Sequence, residues 1–101
     1  MNEDTYRNET LDLFRRLESA GFQILSVDNG EEETKREDVD LATFLSETMA
    51  CDEAWLRVRN AEGKGRTLYL VYGNSKGELV CDYTYTDDLE RVVDAFCQAN
   101  S

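Results

Sequence analysis

Three stretches of the chain carry apolar side chains at steps of three and four residues, the spacing of one face of an α-helix. The first covers about residues 4–20, and Gly21 follows it where glycine commonly ends a helix. The second covers about residues 39–51, with Asp38 or Asp40 suited to cap it, and the third begins near Thr86, a natural N-cap. The predicted apolar stripes are Tyr6, Leu13, Phe14, Leu17 and Ala20; Leu41, Phe44, Leu45 and Thr48; and Leu89, Val92, Val93 and Phe96.

Four other stretches have the composition or the alternation of β-strands. The polar residues 28–38 separate the first of them from the second helix, and we predict a solvated loop there. Glycine-containing connectors at residues 61–65 and 74–77 predict hairpins between the last three strands. The predicted strands are residues 22–27, 53–60, 66–73 and 78–85.

The resulting order is α-β-α-β-β-β-α, which predicts a single acidic α+β domain over residues 1–101. We expect a two-layer domain in which the last three strands form an antiparallel meander. A fourth strand, residues 22–27, joins the sheet at a position that the sequence leaves open. The helices are expected to pack mainly on one face of this sheet.

Alternation assigns one face of the meander to the core, because successive side chains of a strand point to opposite sides. Closing both hairpins symmetrically predicts which of these side chains lie opposite one another. The predicted core rows are Val58–Leu68–Tyr83, Leu56–Leu70–Cys81 and Ala54–Tyr72–Leu79.

The opposite face carries side chains that a solvated sheet does not need. Trp55, Arg57, Tyr69 and Asp82 are the candidate binding residues, because Trp, Tyr and Arg are the usual anchors of protein interfaces. Two other interpretations stay open: simple cross-strand packing of these side chains, or a helix that covers them. The predicted rows are Trp55–Val71–Val80, Arg57–Tyr69–Asp82 and Arg59–Thr67–Thr84.

The charge balance is strongly acidic, with 22 Asp and Glu against 11 Lys and Arg and a formal net charge of −11. A field of this sign repels phosphate backbones and anionic lipid, so we expect neither direct nucleic-acid binding nor membrane binding. It favours a basic protein partner, although acidity also serves solubility alone. The chain is expected to be a monomer or a homodimer.

Three cysteines, Cys51, Cys81 and Cys97, form an odd set without C-x-x-C spacing, which is not a disulfide framework. The N-terminal residues resemble no signal peptide, and no apolar run has the length of a membrane span. We therefore expect reduced thiols and a cytoplasmic location. Cys81 is predicted to lie in the core.

The residues for common catalytic chemistry are largely missing from the sequence. Histidine is absent, and neither a phosphate-binding loop nor a calcium loop can be matched, so we predict no metal site and no cofactor. Carboxylates at Glu31–Glu33 and at Asp87 and Asp88 are better explained by a solvated loop and a helix start. A binding protein is favoured over an enzyme.

Two functions from different classes remain. The first is a small protein-binding module, of the inhibitor, immunity or regulatory type, that uses the Trp55 face; a DNA mimic is a variant of it. The second is a ligand-binding or catalytic domain with a pocket between the sheet and a helix. Tyr72, Tyr83 and Tyr85 are the candidate polar groups of that pocket.

Overall fold

The structure, a computed structural model, describes residues 3–73 and 77–100. Within these ranges it contains three α-helices and a five-stranded antiparallel sheet, which confirms the α+β class and the predicted order, with one short strand added. Most of the predicted loop at residues 74–77 lies outside the described ranges. The elements are helix α1 (Glu3–Ser19), strands β1 (Gln23–Asp28) and β2 (Glu33–Lys35), helix α2 (Leu41–Thr48), strands β3 (Glu53–Arg59), β4 (Gly65–Val71) and β5 (Val80–Tyr83), and helix α3 (Asp87–Asn100).

The strand order across the sheet is β2-β1-β3-β4-β5. β1, whose place the sequence left open, lies beside β3 and pairs Ile24 with Val58 and Val27 with Leu56. The register shifts between Ile24 and Ser26, so Leu25 is an extra residue at a bulge. This bulge explains why the apolar side chains of β1 do not alternate strictly along the sequence.

β2 lies in the stretch predicted as a loop, and that prediction is wrong for residues 33–35, which pair with residues 26–28 of β1. Asn29 closes the turn between the two strands: its side-chain oxygen accepts from the N–H groups of Glu31 (3.0 Å) and Glu32 (3.1 Å). Gly30 adopts φ of 90°, a conformation that favours glycine. The hydrogen bonds of Asn29 and the backbone conformation of Gly30, rather than an apolar pattern, bring this edge strand into the sheet.

The helices pack on one face of the sheet, as predicted. The inward apolar side chains of β3 and β4 are at most 1% exposed, and each Leu or Val among them contributes about 1.5–3 kcal/mol through burial. Phe14 of α1 and Phe44 of α2 meet over this layer with ring centroids 5.8 Å apart. The core is built from Leu13, Phe14, Leu17, Phe22, Ile24, Val27, Phe44, Leu45, Ala54, Leu56, Val58, Leu68, Leu70, Tyr72, Leu79, Leu89, Val92, Val93 and Phe96.

The helix ends depart from the predicted stripes in two places. α2 begins after Asp40, whose carboxylate accepts from the N–H of Thr43 at 2.8 Å, so Asp40 rather than Asp38 is the cap. Leu41 is 45% exposed and Ala20 is also exposed, so neither belongs to the buried stripe. Both residues lie at a helix terminus, beyond the part of the helix that packs against the core.

The predicted register between β3 and β4 is wrong by two residues. Leu56 lies opposite Leu68, and Val58 lies opposite Arg66 rather than Leu68. The reason is the turn: Asn60 pairs with Lys64, and its side-chain oxygen accepts from the Lys64 N–H at 2.9 Å. The connecting loop is therefore centred one residue earlier than assumed. A shift of two residues leaves every side chain on its predicted face, because the strand period is two.

The pairing of β4 with β5 is confirmed at one end and wrong at the other. Leu68 lies opposite Tyr83 and Tyr69 opposite Asp82, as predicted, but the register then shifts so that Leu70 lies opposite Val80. The extra residue is Cys81, which is exposed and not in the core. A bulge on this edge strand turns Val80 inward and Cys81 outward.

Candidate functional site

The candidate site is the sheet face that points away from the helices, which we call the open face. No helix of the described part of the chain covers it, which rules against the alternative of a covering helix for these residues. Cross-strand pairing arranges its side chains in two rows. In order from β2 to β5, the aromatic row is Glu33, Asp28, Trp55, Tyr69 and Asp82, and the basic row is Lys35, Ser26, Arg57, Thr67 and Thr84.

Trp55 and Tyr69 form the centre of the aromatic row. They are direct cross-strand partners, and their rings stack with centroids 5.2 Å apart and planes inclined by 22°. The turn between β1 and β2 also approaches the indole, because a Cβ on Gly30 would lie 3.9 Å from Trp55 Cζ3. Trp55 is thus held in place while 36% of its surface stays exposed.

Carboxylates flank the aromatic pair on both sides. Asp28 lies opposite Trp55 on β1, and Asp82 lies opposite Tyr69 on β5. A hydrogen bond to the Glu53 carboxylate, more than partial burial, raises the pKa of Tyr69 above its usual value. The arrangement is suited to a cationic group placed over the rings, between the carboxylates.

The basic row lies one step further along the strands. Neither Lys35 nor Arg57 has a carboxylate within ion-pair distance in the described ranges, where the ion pairs involve other residues. Ser26 lies between them and is buried although it faces outward. Beyond this row, Arg59 donates to the Gln23 side chain at 2.7 Å. A shallow depression of about 620 Å³ runs over these side chains.

The structure places the four predicted site residues on this one face and pairs Tyr69 with Asp82 as predicted, but the predicted pairing of β3 with β4 is wrong. Trp55, Tyr69 and Asp82 share the aromatic row, so the predicted Trp55–Val71 neighbourhood is wrong. Arg57 lies opposite Thr67 in the next row rather than beside Tyr69. The cause is the two-residue shift between β3 and β4.

Three charged residues of the two rows are not predicted as candidates from the sequence: Asp28, Glu33 and Lys35. They were assigned to a loop or its border because β2 is short and polar on both faces. The Asn29–Gly30 pair, a strong hairpin signal, marks the turn that brings them onto the face.

The tyrosines proposed for a pocket do not converge. Tyr72 lines a cleft of about 420 Å³ between α1 and α2, and its hydroxyl lies 2.9 Å from the buried Thr10 hydroxyl. Tyr83 and Tyr85 lie at the other edge of the sheet, with ring centroids 4.8 Å apart. Tyr85 is 76% exposed, and a hydrogen bond to Asp82 raises its pKa.

The remaining reactive groups of the described residues include two half-buried thiols and a pair of carboxyl groups. Burial, the largest cause, raises the pKa of the Cys51 and Cys97 thiols, which makes them poorer nucleophiles. A hydrogen bond to Glu32 raises the pKa of Glu47, which lies on α2. Among the described residues, no three Cys, Asp or Glu side chains are grouped to hold a metal ion.

Comparison with protein-family models, with curated proteins and with solved structures finds no significant match. No helix in the described ranges is both long enough and apolar enough to cross a membrane.

Proposed function

We propose that this chain is a protein-binding module without catalytic chemistry of its own, and that the open face is its binding surface. The observation that carries the proposal is the exposed stack of Trp55 on Tyr69 at the centre of the face. Aromatic side chains of this kind concentrate binding energy, because they offer a large contact area for little entropy loss. The free thiols fit a reducing compartment, and we assign the module to the cytoplasm.

The proposed partner is a basic protein. Asp28 and Asp82 flank the rings, so a lysine or arginine of the partner would meet an aromatic surface and a carboxylate together. The formal charge of −11 attracts a cationic surface over distances beyond these contacts and raises the rate of encounter. Direct nucleic-acid binding is disfavoured by the same charge.

The exposed basic side chains of the open face argue against mimicry of DNA by this surface. Lys35, Arg57 and Arg59 interrupt any phosphate-like array of carboxylates. The ligand-binding alternative would use the cleft between α1 and α2, whose volume lies within the usual range of about 300–1,000 Å³. Only Tyr72 of the three candidate tyrosines lines that cleft, and its hydroxyl already has a partner.

A photo-crosslinking residue at Thr67 tests the proposal directly, because Thr67 lies on the open face beside the aromatic pair. In cells of the natural source, we expect one dominant adduct whose protein component is basic. The matched control places the same residue at Arg91, which is exposed on α3 on the helical side. The adduct should be absent there, and Trp55→Ala with Tyr69→Ala should abolish it at Thr67.

Equal adducts from positions 67 and 91, or a Thr67 adduct that survives the double substitution, would contradict the proposal. Circular dichroism must show that the double variant keeps its helices and sheet. A small-molecule thermal shift that is lost on changing Tyr6, which lines the cleft, would favour the ligand-binding alternative.

A further inference from the structure

On two strands of the open face, a cation of the basic row lies next to a carboxylate or an aromatic ring of the aromatic row. On β2, Glu33 belongs to the aromatic row and Lys35 to the basic row, two residues apart. On β3, Trp55 belongs to the aromatic row and Arg57 to the basic row, again two residues apart. The carboxylate of Glu33 therefore has Lys35 as its neighbour along β2, and the ring of Trp55 has Arg57 as its neighbour along β3.

We propose that the open face is self-complementary and that two copies of this chain pack through it about a two-fold axis. The axis runs between the two rows and crosses β3 above Leu56. It places Trp55 of one copy over Arg57 of the second, and Glu33 over Lys35 of the second. Each contact occurs twice, as in any isologous interface.

The dimensions of the face permit these contacts. Neighbouring rows are about 7 Å apart, and sheets that pack face to face are separated by about 10 Å, which arginine and tryptophan side chains span together. The positions involved lie in regular pairing, because the bulges at Leu25 and Cys81 fall outside the four residues. Lys35 and Arg57 lack ion-pair partners among the described residues. The second copy supplies Lys35 with a carboxylate and Arg57 with an aromatic ring.

Area and charge together set the strength of the interface. Five strands span roughly 24 Å, so the contact buries on the order of 1,000 Å² in total, the lower limit for a specific interface. Two chains of charge −11 also repel each other, but physiological salt screens charges beyond about 8 Å. We therefore expect a weak dimer that forms at high protein concentration.

The inferred dimer and the proposed binding function use the same open face, and the inference rests on the proposed function in no other way. The second copy covers the Trp55–Tyr69 stack, so a basic partner would have to displace it. Self-association would then regulate access to the binding surface by concentration.

Sedimentation velocity of the purified chain between about 20 μM and about 1 mM, in about 0.15 M salt, tests the inference. We expect the sedimentation coefficient to rise with concentration and the quenching of Trp55 fluorescence by acrylamide to fall. Glu33→Lys and Lys35→Glu should each weaken the dimer by about tenfold or more, because each places like charges across the axis. The double exchange should restore dimerisation, since the pair is reversed intact.

Asp94→Lys and Arg91→Glu are the matched controls, because both residues are exposed on α3 and the substitutions change the net charge by the same amounts. They should leave dimerisation unchanged. A sedimentation coefficient independent of concentration up to about 1 mM would overturn the inference, as would a dimer that responds to the α3 substitutions but not to those on β2. Either result leaves the crosslinking test of the proposed function unaffected, since that test detects a different protein.

Discussion

Trp55 stacks on Tyr69, its cross-strand partner, on a sheet face that no helix of the described residues covers. The chain contains one tryptophan, so its fluorescence reports this contact alone. The stack gives the face its only large aromatic surface among the described residues of the two rows, and two proposals depend on its being accessible.

Trp55 should emit at the long wavelength of a partly solvated indole and be readily quenched by acrylamide at low micromolar protein concentration. Tyr69→Ala should increase the quenching and cost about 0.5–1.5 kcal/mol of unfolding free energy, the usual contribution of an aromatic pair. Fluorescence titration and urea denaturation measure the two effects. Blue-shifted emission with poor quenching in a monomer would contradict the observed exposure.

Leu70 and Val71 are neighbours on strand β4 but face opposite sides of the sheet. Leu70 is fully buried, whereas Val71 is partly exposed. We expect Leu70→Ala to lower the free energy of unfolding by about 2–5 kcal/mol, because it leaves a cavity in the core. Val71→Ala should cost clearly less, and a larger loss for Val71 in the same urea titration would reverse the assignment of faces.

The faces of the central strands could be predicted because alternation with a period of two is visible in the sequence itself. Leu56, Leu68 and Leu70 point inward as expected, and Trp55 and Tyr69 point outward. The register between strands depends instead on the geometry of the connecting turns. In the β3–β4 turn, the Asn60 side chain holds that geometry, and the pattern of apolar residues does not reveal it.

The basic row and the full aromatic row were beyond prediction for a related reason. Trp55 and Arg57 were recognised as candidates, but their neighbours across the sheet come from β1 and β2. β1 carries a bulge, and β2 has three residues with no apolar alternation. The Cys81 bulge likewise leaves no mark in the alternation of residues 78–85.

Asn60 should control the β3–β4 hairpin and thereby the Trp55–Tyr69 pairing. Its side-chain oxygen accepts from the N–H groups of Glu62 (3.0 Å) and Lys64 (2.9 Å). Asn60→Ala should therefore destabilise the fold by about 1–2 kcal/mol, because the turn loses both hydrogen bonds that this oxygen accepts.

Lys64→Ala is the control for this substitution, since its ion pair with Glu62 spans 3.8 Å between exposed groups and should contribute little. Thermal denaturation followed by circular dichroism compares the two variants. Equal destabilisation by both changes would mean that the Asn60 side chain does not hold the turn.

Cys81 should be the fastest of the three thiols to react with a maleimide in the native protein. It is exposed on the β5 edge, whereas Cys51 and Cys97 are half-buried and burial raises the pKa of both thiols. Mass spectrometry of the partly labelled chain identifies the order of modification. Cys81→Ser should leave the free energy of unfolding almost unchanged. Slow labelling of Cys81 would contradict its exposed position and indicate that it is buried in the core.

Asp88 links the start of α3 to the sheet. Its carboxylate accepts hydrogen bonds from the Thr86 hydroxyl, the Asn60 amide and the Leu89 N–H, and Arg66 lies at 3.4 Å. These donors, the Thr86 hydroxyl above all, hold the pKa of Asp88 below its usual range. We expect Asp88→Asn to cost about 1 kcal/mol at neutral pH, a modest value because the carboxylate is partly solvated.

That cost should depend on pH with a definite sign. Folding lowers the pKa of Asp88, so the folded state binds the proton less tightly than the unfolded chain, whose value is about 3.9. The carboxylate therefore stabilises the fold fully above that value, and its contribution is lost as the pH falls below it. Urea titrations from about pH 7 to about pH 3 should show that the difference in unfolding free energy between Asp88→Asn and the unchanged chain shrinks on acidification.

Asp87→Asn, an exposed change in the same helical turn, is the control and should show a smaller difference in unfolding free energy at neutral pH. A difference for Asp88→Asn that stays constant down to about pH 3 would show that the charge of Asp88 does not stabilise the fold.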